Sequence, residues 1–167
     1  DTLSAAGEIV WTGIEPIGER DGRIALYLTD HLPLLHEIAP PERAAEGGSL
    51  SLEEQIVDHL CTGGASFFAQ IQTALGGGFA NDLVDALWSL VWRGVITNDT
   101  FHALRAYVRP KAAPRAAGFR SRRVAPPSTQ GRWSLVQPSR GSTTERASAL
   151  AARFLHRQRC ARPRLDQ

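Results

Sequence analysis

The chain has 167 residues, 43% of them hydrophobic, with 19 basic and 17 acidic side chains and a formal net charge of +2. That is enough apolar material for one ordinary domain or two small ones, and no apolar run approaches the roughly 20 residues of a membrane-spanning helix. Cys61 and Cys160 lack CxxC or CxxH spacing, which excludes a zinc finger and a disulfide framework.

The opening DTLSAAGEIVW has no basic segment followed by a leucine-rich core, so no signal peptide is expected, and a reducing cytoplasm is the expected location. The first residue is not Met, which suggests a fragment or a trimmed chain. Cys61, near a helix end, is expected to be a small buried hydrophobe. The near-neutral total hides a split. Residues 1–100 carry four arginines against fifteen carboxylates, a net of −11, whereas residues 101–167 carry fifteen basic residues against two carboxylates, a net of +13. A basic half of this kind points to an interaction tail or a nucleic-acid contact. Eighteen of the nineteen basic residues are arginine, so genome composition contributes to the bias as well.

In chain order, residues 7–14 (GEIVWTGI) and 22–28 (GRIALYL) alternate and are rich in β-formers, with Pro16, Gly18 and Asp21-Gly22 between them. They predict an antiparallel hairpin, and Asp30–Leu35 predicts a helical turn. Residues 1–38 are read as a hairpin completing an upstream module, and the Pro/Gly-punctuated residues 39–49 as a linker. Ser51 with Glu54 is a capping box opening a helix through Ile56, Val57 and Leu60, stopped at Gly63-Gly64. Ser66 is expected to cap a second helix, Phe67–Leu75, and Asn81 a third, through Arg93. In the third, Val84, Leu87, Trp88 and Val91 fall on one helical stripe, widened by Leu83, Leu90 and Trp92, and Asp82, Asp85, Ser89 and Arg93 lie opposite. Gly94 should end it in the left-handed region, followed by a strand at 95–97.

Three short helices, a glycine stop and a strand follow the order of a winged helix-turn-helix, with residues 132–136 (RWSLV) as the returning strand. Asn98, Asp99 or Thr100 is expected to cap a short helix, Phe101–Val108. The remaining insertion, residues 109–131, has six basic residues, four prolines and no acid, and is expected to be mobile. Residues 50–137 thus form the winged-helix unit. Ser142 with Glu145 is a second capping box, opening a helix over 144–156 with Ala149, Leu150, Ala152 and Leu155 for one face. Residues 142–167 read as the first helix of a further module. The fold class is therefore α+β: a winged-helix module preceded by a β-hairpin and followed by a lone helix.

The stretches GEIVWTGI…DGRIALYL, GGASFFAQIQTALGGGF, LVDALWSLVWRGVITNDTFHALR, GRWSLV and TTERASALA resemble the bacterial large helicase-related (Lhr) family over roughly residues 7–155. GASFF…GGGF and LWSLVWRGVITNDTF are its most specific words. The resemblance implies the region after the motor, where the family carries tandem winged-helix modules. It further implies a parent ATP-dependent DNA helicase of DNA repair, with DNA and neighbouring winged-helix modules as partners and no membrane. The same tail resembles a bacterial DNA glycosylase family. ATP and magnesium belong, by the same implication, to the motor domains. This chain has no GxxxxGK[ST] loop and no DExH-type box, so it is expected to hold no cofactor and, alone, to hydrolyse no ATP. No catalytic residue is assigned. The family pattern breaks after TERASALAARFL, where HRQRCARPRLDQ looks like a frameshifted or truncated reading frame; a non-functional fragment is one alternative.

For DNA contact the third helix is a poor reader, because Asp82 and Asp85 would face phosphates. The basic insertion is the better candidate. Arg115, Arg120, Arg122, Arg123 and Arg132 are placed to neutralise phosphates, Phe119 to stack on an unpaired base, and Trp133, beside Arg132, is the tryptophan best placed to stack. Such contacts would be sequence-tolerant and favour single strands. The alternatives are a solvated linker and a scaffold that packs on other modules without DNA. His31, His36, His59, His102 and His156 have no HxxxH spacing for a metal, and Ser66 sits in GASFF rather than a GxSxG elbow.

Overall fold

In a computed structural model the described residues are 2–36, 50–109, 125–136 and 142–161, with side chains as far as 156. In chain order the elements are α1 (Thr2–Ala5), β1 (Ile9–Gly18), β2 (Asp21–Leu28), α2 (Leu32–Leu35), α3 (Leu52–Gly63), β3 (Ser66–Phe67), α4 (Phe68–Ala74), α5 (Ala80–Trp92), β4 (Ile96–Asn98), α6 (Phe101–Val108), β5 (Arg132–Leu135) and α7 (Thr143–Ala161). This is a mixed α+β architecture. It has a two-stranded hairpin, β1-β2, and a three-stranded antiparallel sheet in the order β3-β5-β4.

Local chemistry sets most boundaries. The Ser51 hydroxyl accepts from the Glu54 amide at 3.2 Å while the Glu54 carboxylate accepts from the Ser51 amide at 2.7 Å, so two of the free donors at the start of α3 are satisfied. At the end of α5 the Gly94 amide donates to the Val91 carbonyl and the Val95 amide to the Leu90 carbonyl. That six-to-one and five-to-two pair requires a left-handed residue between, and Gly94 has φ +69°. Gly76 and Gly77 make the same pair of bonds at the end of α4. Thr100 is the residue that caps α6, accepting from the His102 amide at 3.0 Å.

Three capping and burial expectations are corrected. Ser66 is not a helix cap: it is buried in β3, where it pairs with Trp133, and α4 starts after Phe67, whose amide donates to the Gln70 side chain. Asn81 lies inside α5, whose cap position is Phe79. Cys61 is exposed.

Packing begins with α5, which buries Leu83, Val84, Ala86, Leu87, Trp88, Leu90, Val91 and Trp92. Trp88 is the hub: it stacks on Tyr107 with centroids 4.0 Å apart, meets Trp133 edge-on at 5.8 Å, and lies beside Trp92 and Trp11. Aromatic pairs in these offset and edge geometries add about 0.5–1.5 kcal/mol each beyond their burial. The strand after α5 pairs with 132–135 as expected, with Ile96 opposite Leu135 and Asn98 opposite Trp133.

Residues 110–124 of the insertion expected to be mobile lie outside the described residues. Residues 125–131, expected to be part of a mobile loop, are tied to the core. The Trp88 and Trp133 indole N–H groups donate to the carbonyls of Ser128 and Thr129, both buried.

The hairpin, read as completing another module, also closes this core. Trp11 is fully buried among Trp88 and Phe101, and its carbonyl accepts from the Thr97 hydroxyl at 2.6 Å. Close backbone approach explains two glycines. A Cβ on Gly13 would come within 2.1 Å of the Val91 carbonyl oxygen, and one on Gly22 within 2.5 Å of the Trp92 ring. At the other end α7 lies against α2, and its Ala149, Ala152, Arg153 and His156 line a cavity of about 640 Å³ shared with β2, where Arg153 lies 5.9 Å from the Tyr27 ring. Leu150 and Leu155, expected on its packed face, are exposed, as is Phe154.

Candidate nucleic-acid interface

Alternation along β5 sends Trp133 to the core and Arg132 and Ser134 to the other face. Cross-strand pairing puts Thr97 opposite Ser134 on that outer face, and the chain beyond β4 brings Asp99 against Arg132. Three bonds hold this corner. The Asp99 amide donates to the Arg132 carbonyl at 3.1 Å. The Arg132 amide donates to Asp99 Oδ1 at 2.8 Å, and Arg132 Nε donates to Oδ2 at 2.9 Å. Gly131, at φ +87°, is the residue that lets the two strands meet, since a Cβ there would fall within 2.4 Å of Asn98 Oδ1 and 2.6 Å of Asp99 Oδ1. Arg132 and Asp99, with Thr97, Asn98, Ser134 and Ser4, line a cavity of about 210 Å³ between the sheet and the start of β1.

Of the residues expected at a DNA contact, Arg115, Phe119, Arg120, Arg122 and Arg123 lie outside the described residues. Arg132 is half exposed. The stacking expectation for Trp133 is corrected: its ring is fully buried, edge-on to Trp88, and offers no face to a base. The adjacent Arg132-Trp133 pair read as one motif, but two neighbours in a strand necessarily point to opposite faces.

The outer face of α5 has the character its sequence implied. Asp82 and Asp85 are exposed, and the one arginine there, Arg93, donates to Glu53 at 2.5 Å. A second basic position was not anticipated. Arg20, in the hairpin turn, donates through Nε to the Tyr107 carbonyl at the end of α6 and lies 5.0 Å from the Tyr107 ring. Its contact spans the hairpin and α6, so no local spacing announced it. Among the histidines, His36 is buried with Nε2 3.1 Å from the Gly94 carbonyl, and His59 Nε2 lies 3.2 Å from the Ser66 hydroxyl. No helix among the described residues is long and apolar enough to cross a membrane.

No family model matches the chain. It is similar to the Lhr helicase/uracil glycosylase of Escherichia coli (strain K12), at 35% identity over 179 aligned positions covering 94% of this chain and 11% of that protein. It is likewise similar to the Lhr helicase/probable uracil glycosylase of Mycolicibacterium smegmatis, at 32% identity over 174 positions, with the same 94% and 11% coverage. The chain therefore spans only about a tenth of the length of the relatives it matches, 11% in both cases. A likeness that runs through 94% of this chain at 32–35% identity is the one expected of a fragment of an Lhr helicase.

Proposed function

We propose that the chain is an accessory winged-helix segment of an Lhr-type ATP-dependent DNA helicase of DNA repair, making sequence-tolerant contacts with the DNA backbone. The observation that carries this is the match to two Lhr helicases across 94% of the chain. Support for the winged-helix reading comes from three helices, α3 to α5, followed by β4 and a returning β5 on the same sheet. Support for DNA contact comes from the +13 charge of residues 101–167. In this reading Arg132 and the arginines of 115–123 meet phosphates. ATP and magnesium act in the motor, the chain itself catalyses nothing, and the whole works in the cytoplasm.

A second reading is a scaffold that packs against neighbouring modules without touching DNA. The acidic face of α5, with Arg93 committed to Glu53, favours it. Affinity of the 167-residue chain for a fluorescent single-stranded oligonucleotide, measured from low to high salt, separates the two. DNA contact predicts that log K falls linearly with log salt, by about 0.7 per phosphate neutralised on a single strand. No binding at low salt selects the scaffold.

A further inference from the structure

We infer that the Arg132–Asp99 corner is a pre-oriented seat for one phosphate group, with Asp99 as the positioning residue; this rests on the DNA-contact reading above. The geometry differs from an ordinary surface ion pair. Asp99 uses one carboxylate oxygen on the Arg132 backbone amide and the other on Nε, and returns its own amide to the Arg132 carbonyl. The arginine is thereby fixed at both its backbone and its guanidinium. The two terminal nitrogens of the guanidinium have no partner among the described residues. They present parallel donors, the arrangement that matches two oxygens of a phosphate.

The surroundings are small and mix polar with apolar groups. Ser4, Asn98 and Ser134 bring polar groups to the cavity of about 210 Å³, beside Ala5, Ile9, Val10 and Ala65, while the Thr97 hydroxyl at its edge is held by the Trp11 carbonyl. Gly131 keeps the corner tight enough for the three bonds to coexist. The carboxylate carries a cost, because it cancels much of the arginine's charge at long range. What remains is directional donation at short range, and that sets the test.

Loss of Asp99 raises the net charge of the chain by one. If Arg132 acted as a loose positive charge, Asp99→Asn would tighten binding to DNA. If Asp99 orients it, Asp99→Asn weakens binding despite the added positive charge. The experiment is oligothymidine binding by the whole 167-residue chain across a salt series. Arg132→Ala should lower the salt slope by about 0.7, one phosphate's worth on a single strand. Arg132→Lys, which keeps the charge and loses the fork, should bind like Arg132→Ala. Far-ultraviolet circular dichroism of each variant guards against loss of fold, and Arg132→Lys is the variant least able to disturb it.

Inorganic phosphate at matched ionic strength is the second arm. Displacement of the oligonucleotide from the parent chain but not from Arg132→Ala extends the seat to free phosphate, and absence of displacement restricts it to the DNA backbone. Binding with an unchanged slope in Arg132→Ala, or tighter binding by Asp99→Asn, overturns the seat and leaves the DNA-contact reading standing. No binding by the parent chain at low salt overturns both.

Discussion

The hairpin and the last helix, α7, are both appended to the three-helix unit, and they are attached in opposite ways. The hairpin meets α5 through backbone: Gly13 sits where a single carbon would collide with the Val91 carbonyl, and Trp11 reaches the centre of the aromatic cluster. α7 instead meets α2 across a cavity of about 640 Å³, lined on its side by Ala149, Ala152, Arg153 and His156, while Leu150, Phe154 and Leu155 face solvent. Length along the chain says nothing about this difference, since α7 is the longest helix among the described elements. What separates them is close approach against surface contact. The first makes an element part of a core; the second leaves it resting on one.

Substitutions should sort along that line. The largest effect is expected for Trp88→Ala, which opens the space shared by Trp11, Trp92, Tyr107 and Trp133 and should cost about 3–5 kcal/mol in equilibrium denaturation. Next comes Gly13→Ala. Its methyl group has nowhere to go between β1 and the end of α5, and overpacking of this kind costs about 1–3 kcal/mol. The loss should appear in the main unfolding transition monitored by tryptophan fluorescence. A separate early hairpin transition would place the hairpin outside the core. Ser51→Ala removes the acceptor for the Glu54 amide and should cost about 1 kcal/mol.

The smallest effect belongs to α7. Hydrogen bonds from the Ser142 backbone and then its hydroxyl hold the Glu145 carboxyl below its ordinary value. A depressed carboxylate helps the folded helix fully above the ordinary glutamate range, and the help is lost as pH falls through the lowered value. Acid titration followed by amide chemical shifts should therefore show the start of α7 fraying at low pH while the α5 amides stay unchanged.

The same contrast explains what was legible in the sequence. Both capping boxes, the Gly94 stop, the buried stripe of α5 and the α6 boundaries were readable because each depends on residues within a few positions of one another. Pairing of β4 with β5 was readable because only one later run had strand character. The depth of Trp11 was not, since it is set by α5 arriving from some 80 residues away, and Gly13 carries no mark distinguishing close approach from a bend. Ser66 and Asn81 had the chemistry of caps, but pairing with Trp133 drew Ser66 into a strand and α5 began one turn's edge earlier, after Phe79. For Trp133 the signal was present and outweighed by its neighbour: alternation in RWSLV requires that if Arg132 is out, the tryptophan is in. Five of the seven residues expected at a DNA contact fall in 115–123, outside the described residues, and of the other two Arg132 is half exposed and Trp133 buried.

Native-state hydrogen exchange on the amides of β1 and α5 tests the single aromatic core most directly. If Trp11 fuses the hairpin to the helices, the slowest amides of Trp11–Gly13 and of Leu87–Val91 open with the same free energy, the global one. Hairpin amides that exchange orders of magnitude faster than those of α5 would contradict the account, and would return the hairpin to a module of its own.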